Sequence, residues 1–476
     1  MDPGMDRKLL VNGEWREGQG TTSVKSPFDD REISRVAQAS AKDVEDALAA
    51  AVAARPRLQR QTTGFRRDLL TKIAAGLAAR QDELAMSICD EAGKPLTLAK
   101  GEVARAIETF TSAAAELVRF GGEILNLDLS ENQAGTEAEV RRFPAGVIVG
   151  VVPFNFPLNL GAHKVAPALA VGAPIIIKPP PQAPSAQLIL AEVALAAGAD
   201  PAALQVLPCD NTIAERLATD PRVRVLSFTG SAKVGWHLKT LAKGKALLEL
   251  GGNAAAIVAD DADLAMAAKR LAPSAFGYAG QVCIKTQRII IDARVYTAFV
   301  ELFLAETKKL KAGDPRQEEV TVGPVINDAA VARITEWVAE ATTGKAKTLL
   351  AGTRTHRVMT PAILEQVPRT SRLYKEEVFG PVTVLCKASD FDAAIDEAND
   401  GDYGLQAGVF TKDLRRARQA FHSLEVGGVI LDDSPSFRSD AMPYGGVKGS
   451  GLGREGVRYA MEDFTEPRIL VTRAAG

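Results

Sequence analysis

The stretch GVIVGVVPFNFPLNLGAHKVAPALAVGAPIIIKP, residues 146–179, decides the fold. GVIVGVV is a continuous apolar run, as a strand covered on both faces would be. PLNLGAHKVAPALAVG reads as a helix, and APIIIKP as a second buried strand. The rhythm then repeats. SAQLILAEVALAAGA reads as a helix, LQVLP as a third strand and TIAERLATD as a short helix. VRVLSFTG is a fourth strand, GSAKVGWHLKTLA its helix, and KALLELGG a fifth strand. Strand–helix alternation at this density predicts a doubly wound parallel sheet.

Working outward, LLVNGEW carries a hairpin signal, because Asn12-Gly13 supplies the positive φ angles of a tight turn. Val44, Leu48 and Val52 repeat at helical spacing after Ser40, a natural N-cap. Phe65, Leu69, Ile73 and Leu77 repeat the spacing, as do Val103 and Ile107, with a break at Gly93-Lys94-Pro95. EILNLDLSENQAGTEAEVRRFP is polar with a turn at its middle. It reads as a two-stranded ribbon, either a plain surface hairpin or an oligomerisation arm, and MEDFTEPRILVTR supplies a terminal strand to pair with it. Beyond Gly252, AAAIVAD, DLAMAAKRLA, QRIIID and VYTAFVELFLAETKKL form a second α/β lobe hinged at LELGG.

At 476 residues the chain exceeds one ordinary core, so two or three lobes are expected. A net charge of −2 provides no basic field for nucleic acid and no polybasic patch for lipid. Apolar stretches are cut by Pro or Gly short of a membrane span, and the N-terminus lacks the apolar core of a signal peptide. Cys89, Cys209, Cys283 and Cys386 are scattered without metal spacing, and four histidines argue against a metal centre. The expectation is a cytoplasmic protein acting on a small molecule.

Cys283 alone among the cysteines sits between small, flexible neighbours, in GYAGQVCIKTQR just before a strand. Such a thiol is either a core cysteine near a turn or a nucleophile on display. Four other features bear on it. Glu249 ends an apolar strand in LELGG, and Asn155 lies in PFNFP just past the first strand. FTGSAKVG, residues 228–235, ends a strand and opens a helix, with Gly230 and Ser231 at the helix start and Gly235 one turn on. Free backbone N–H groups there suit a pyrophosphate. EEVFGPV places Glu377 and Phe379 before a Gly-Pro turn. Apart from these four, Lys178 stands at the end of strand APIIIK and points into the same crevice by the switch-point rule.

PFNFPL, KP after a strand, FTGS, ELGG, the Cys283 segment, EEVFGPV and the closing MPYGGVKGSGLGREG follow in the order of the aldehyde dehydrogenase superfamily, which the chain resembles end to end. Within it, PFNFPLNLGAHKVAPALA and LELGGNAA are most similar to the lactaldehyde, phosphonoacetaldehyde and semialdehyde dehydrogenase branch. The resemblance implies a Rossmann-like dinucleotide-binding domain (1–123 and 143–248), a catalytic domain (249–434), bridging strands (124–142 and 460–476) and a return segment (435–459). It implies Cys283 as nucleophile in an electropositive setting, Asn155 as oxyanion donor and Glu249 as the base that activates water on a thioester. CoA-acylating members lack that carboxylate, so Glu249 implies release of a free acid. Lys178, Gly230, Ser231, Gly235, Pro153, Phe154, Glu377 and Phe379 would hold the cofactor. Pro181 stands where NAD-selective relatives often have glutamate, and LPCDNTIAERL lacks glycines common after the third strand. NAD is expected, with NADP possible.

The substrate pocket in relatives maps to Leu158, His163, Val282, Ile284, Phe437 and Arg438, with Arg105 on a helix lining the tunnel. Histidine at 163 points to a small polar or anionic aldehyde; the plain alternative is a helix histidine with a local partner and a surface ion pair at Arg105. A homodimer or homotetramer is implied. The rival functions are a dinucleotide-independent cysteine hydrolase and an idle binding scaffold.

Overall fold

The computed structural model describes residues 5–473, so the ends of the segments expected at 1–123 and 460–476 lie outside the described residues. The expected first strand is Val147–Val151, and its residues alternate between two buried faces. Ile148 packs with Ile175 and Ile177 beneath one helical layer, while Val147, Val149 and Ile176 meet Val44, Leu48 and Ala51 on the other. That two-sided burial is why the sequence there runs apolar without alternation.

Around this strand the sheet runs Gly451–Leu452, Lys245–Glu249, Val223–Thr229, Val147–Val151, Ile175–Lys178, Leu204–Val206, Leu9–Val11 and Glu14–Arg16. The five central strands are parallel, and the terminal hairpin and Gly451–Leu452 join the edges antiparallel. Chain order reverses between Val147–Val151 and Val223–Thr229. A crevice therefore opens beyond their carboxyl ends, where doubly wound sheets bind ligands. Asn12 and Gly13 both take positive φ in the hairpin turn, as expected.

Ser40 caps helix Ala41–Gln59 in a capping box with Asp43. Val44 and Leu48 are buried, whereas Val52 is exposed, as is Phe65 on helix Thr63–Ala79. A strict spacing of four drifts about 40° per step around a helix, so one member of each run leaves the buried stripe.

The second sheet runs Lys347–Leu350, Ala362–Glu365, Val382–Ala388, Arg288–Asp292, Ala255–Val258, Gln406–Phe410 and Gly428–Leu431. All but the first strand are parallel. A third sheet joins Gly122–Asn126, Thr136–Pro144 and Thr465–Arg473, so the chain's end does pair with the ribbon. No helix among the described residues is long and apolar enough to cross a membrane.

Candidate active site

Helix Leu264–Phe276 ends in an unusual turn: Tyr278, Ala279 and Gly280 have φ of 54°, 53° and 68°. Left-handed backbone at two non-glycine residues costs roughly 1–3 kcal/mol each and persists only where packing dictates it. Tyr278 is buried, and its hydroxyl donates to Ala92 O at 3.1 Å. Gly280 has no alternative, since a Cβ there would lie 2.3 Å from the Gly380 carbonyl oxygen. Gln281 donates to Pro324 O at 3.2 Å and accepts from Ile326 N–H at 2.9 Å. The turn is thus anchored on both sides of the loop that presents Cys283.

Cys283 lines a cavity of about 260 Å³. Pro153, Phe154 and Asn155 reach it from the first strand's carboxyl end, and Gly230 and Ser231 from the fourth. Glu249 and Gly251 line it at the hinge, and Arg333, Glu377 and Phe379 come from the second lobe. Residues far apart in sequence therefore meet at the topological switch point.

Asn155 is fixed at both ends. Its Nδ2 donates to Gln281 O at 3.0 Å, and its carbonyl accepts from Lys94 Nζ at 2.9 Å. An amide nitrogen carries two hydrogens, so the second remains for an oxygen held at Cys283. Lys94 in turn pairs with Glu102 at 2.6 Å, both fully buried. Glu102 also accepts from the N–H groups of Leu158 and Asn159, at the start of helix Asn159–Val171.

Glu377 accepts from Gly252 N–H at 3.1 Å, and burial pushes its carboxyl up to about 8. Gly251 is obligatory beside it, because a Cβ would stand 2.2 Å from Glu377 Oε2. Phe379 meets Phe154 edge-to-face at 6.0 Å. Ser231 is the exposed N-cap residue of helix Ala232–Leu241, and its hydroxyl makes no cap bond. This cradle of free helix-start N–H groups, a carboxylate and aromatic walls fits a dinucleotide.

Gly235 lies one turn inside that helix, buried against Phe228 and Leu250 rather than lining the cavity. Lys178 is buried at the carboxyl end of its strand beside Val151, near Cys209 and Asp210, and burial lowers its pKa. Its carbonyl accepts from Val152 N–H at 3.1 Å.

Burial pushes Glu249 up to about 7, with the charge of Glu455 adding and those of Arg438 and Lys164 opposing. Burial, then the Glu249 charge, pushes the Cys283 thiol well above its ordinary range. In place of the expected electropositive setting, burial and the Glu249 carboxylate act against the thiolate, and the Arg438 charge and the Tyr444 hydroxyl at 3.1 Å act for it. Cys89, Cys209 and Cys386 are pushed by burial up to about 12, 11 and 11. Among the four cysteines, only Cys283 lines the cavity.

His163 is buried in a polar network. Its Nε2 lies 2.8 Å from Asp440 and 3.2 Å from Asn159 Nδ2, and its Nδ1 lies 3.2 Å from Glu455 and 2.8 Å from Arg438. Arg105 is held by Asp440 at 2.7 Å, so the arginine expected to meet a substrate anion already has a partner. Arg438 donates to Glu455 at 2.8 Å, and its buried Nε has no hydrogen-bond partner. Leu158 packs in the core, and Leu160 lines the cavity instead. Ile284 and Val282 pack beside Cys283 with Tyr444 and Leu405. Phe437 is half exposed on a shallow depression with Lys269 and Asp433.

The model of the aldehyde dehydrogenase family matches residues 15–470. The chain belongs to the aldehyde dehydrogenase family. A 3-sulfolactaldehyde dehydrogenase of Priestia aryabhattai is 40% identical over 97% of each chain. The crystal structure of aldehyde dehydrogenase 21 from Physcomitrella patens, in complex with the reaction product succinate, is 42% identical with a TM-score of 0.95, covering 99% of this chain and 98% of that one. An NADP-dependent glyceraldehyde-3-phosphate dehydrogenase from Bacillus halodurans, complexed with NADP, is 32% identical with a TM-score of 0.96 over 99% and 100% of the chains.

Several residues of this aldehyde dehydrogenase's site had no assigned role in the sequence reading. Tyr444 and Glu455 both lie within MPYGGVKGSGLGREG, so the motif signalled them without separating their tasks. Lys164 follows His163 and donates to Glu455 at 2.9 Å and Thr229 at 2.7 Å. Arg333, on the ordinary amphipathic helix Asp328–Thr343, carried no sequence signal.

Proposed function

We propose that this chain oxidises a small anionic aldehyde to its carboxylic acid, with NAD or NADP as acceptor, through a thioester on Cys283. The carrying observation is a single cavity lined at once by Cys283, Asn155, Glu249, the Ser231 helix start and Glu377. Cys283 Sγ attacks the aldehyde carbon, and the amide of Asn155 donates to the oxyanion. A nicotinamide dinucleotide, when bound across Gly230, Ser231, Glu377 and Phe379, supplies the hydride acceptor. Glu249, poised at about 7, then takes a proton from the water that hydrolyses the thioester. The presence of this carboxylate favours a free acid over transfer to CoA.

The names of the three relatives share one chemistry: a sulfonate, a carboxylate or a phosphate on a short aldehyde or its product. The ribbon leaves Ile124 at 78% and Leu470 at 63% exposure, which supports its use as an assembly surface for a homodimer or homotetramer. The test is the appearance of reduced nicotinamide with a panel of short aldehydes with and without an acidic group, comparing NAD with NADP. Acid-bearing aldehydes are expected to react best. Ester cleavage without any dinucleotide-dependent oxidation would favour the hydrolase and overturn the proposal.

A further inference from the structure

One hydroxyl that these steps leave unused touches both reacting side chains. Tyr444 is fully buried, with its Oη 3.1 Å from Cys283 Sγ. The same oxygen donates to Glu249 Oε1 at 3.4 Å. A phenol both donates and accepts, so a chain from thiol to phenol to carboxylate satisfies every group in it. The ring cannot turn aside. Tyr444 exchanges two backbone hydrogen bonds with Glu455 and packs on Ile284 and Leu405. The Arg438 guanidinium covers its face at 3.6 Å. A phenylalanine would satisfy this packing, which leaves the hydroxyl to be explained by what it touches.

We propose that Tyr444 is a fourth catalytic residue, accepting the Cys283 proton while passing its own to Glu249. The Sγ–H bond breaks as an O–H bond forms on Tyr444, and the original phenol O–H breaks as one forms on Glu249 Oε1. The products are a thiolate, an intact phenol that now donates to it, and a neutral carboxylic acid, which gives its proton up to solvent before it takes one from the hydrolytic water. No oxidant or reductant is involved. The groups that act on the thiol are Glu249, Tyr444 and Arg438, and the charges of Glu455, Arg438 and Lys164 act on Glu249. Burial, the Glu249 charge and a Glu249 hydrogen bond oppose thiolate formation, whereas the Tyr444 hydrogen bond and the Arg438 charge favour it. The Arg438 cation over the ring strengthens the phenol as a donor, in addition to the direct effect of its charge on the sulfur.

This inference rests on Cys283 being the nucleophile, and the test separates the two. The rate of Cys283 alkylation by iodoacetamide is followed by mass spectrometry against pH, in intact protein without dinucleotide, with Cys283→Ala marking the labelled site. In Tyr444→Phe the rate at neutral pH is expected to fall about ten- to hundredfold, as for loss of one hydrogen bond to a charged group. Its rise with pH should move upward by about one unit or more. The thermal midpoint should be unchanged, and the loss in aldehyde oxidation should fall on kcat rather than KM. A ring-fluorinated tyrosine at position 444, a more acidic phenol of nearly equal size, should speed alkylation and covers the case of a misfolded phenylalanine variant. Wild-type rates and pH profiles in both variants would overturn the inference, leaving direct transfer from sulfur to Glu249. Aldehyde oxidation persisting in Cys283→Ala would instead sink the nucleophile assignment itself.

Discussion

Replacing Lys94 by methionine tests how Asn155 is positioned. Lys94 and Glu102 form a 2.6 Å pair with side-chain exposures of 2% and 0%. Lys94 Nζ also holds the Asn155 carbonyl and lies 3.3 Å over the Phe156 ring. Removing the cation leaves Glu102 buried with only the Leu158 and Asn159 N–H groups for company. Breaking a buried pair in this way costs about 3–5 kcal/mol of stability. Activity should fall separately, because a misplacement of about 1 Å near the reacting centre costs on the order of a hundredfold. The double variant Lys94→Met/Glu102→Gln keeps an oxygen for both N–H groups and removes the orphaned charge. It should regain most of the thermal midpoint while kcat/KM stays about tenfold or more below wild type, since the Asn155 carbonyl still lacks its donor. The assay is reduced-nicotinamide formation beside a thermal melt of each variant. Full recovery of kcat/KM in the double variant would refute the positioning role.

Further outcomes follow from the same geometry. Because burial sets Glu249 at about 7, acid release should fall about tenfold per pH unit below that point and level off above it, in a stopped-flow pH series on preformed acyl-enzyme. The sign follows from the raised value: the folded state holds a proton that the unfolded carboxyl has lost, so this site's contribution to stability declines as pH rises from its ordinary 4.5 to about 7. Gly251→Ala would drive a methyl group into Glu377 and should weaken dinucleotide binding about tenfold, or ~1.4 kcal/mol, by fluorescence titration. Leu470→Glu on the exposed ribbon should shift sedimentation toward smaller species with the melt intact.

The strand–helix rhythm was legible because each central strand is buried on both faces, as Ile148 and Val149 show by packing into different cores. The order of the sheet was less so, since nothing in Leu9–Val11 announces that it extends the edge beside Leu204–Val206. Cys283, Asn155 and Glu249 stood out by their place at strand ends and in glycine-lined turns. What the sequence hid was electrostatic. The state of the Cys283 thiol depends on Glu249 and Arg438, and the partner of Arg105 is Asp440, hundreds of residues away. Lys94 read only as part of a helix break between Gly93 and Pro95, yet it anchors the Asn155 turn.

The most direct test is the intact mass of Glu249→Gln protein mixed with an acid-bearing aldehyde and dinucleotide. One equivalent of reduced nicotinamide and an acyl group retained on Cys283 are predicted. Continued turnover with no mass added to the protein would contradict a thioester released by Glu249.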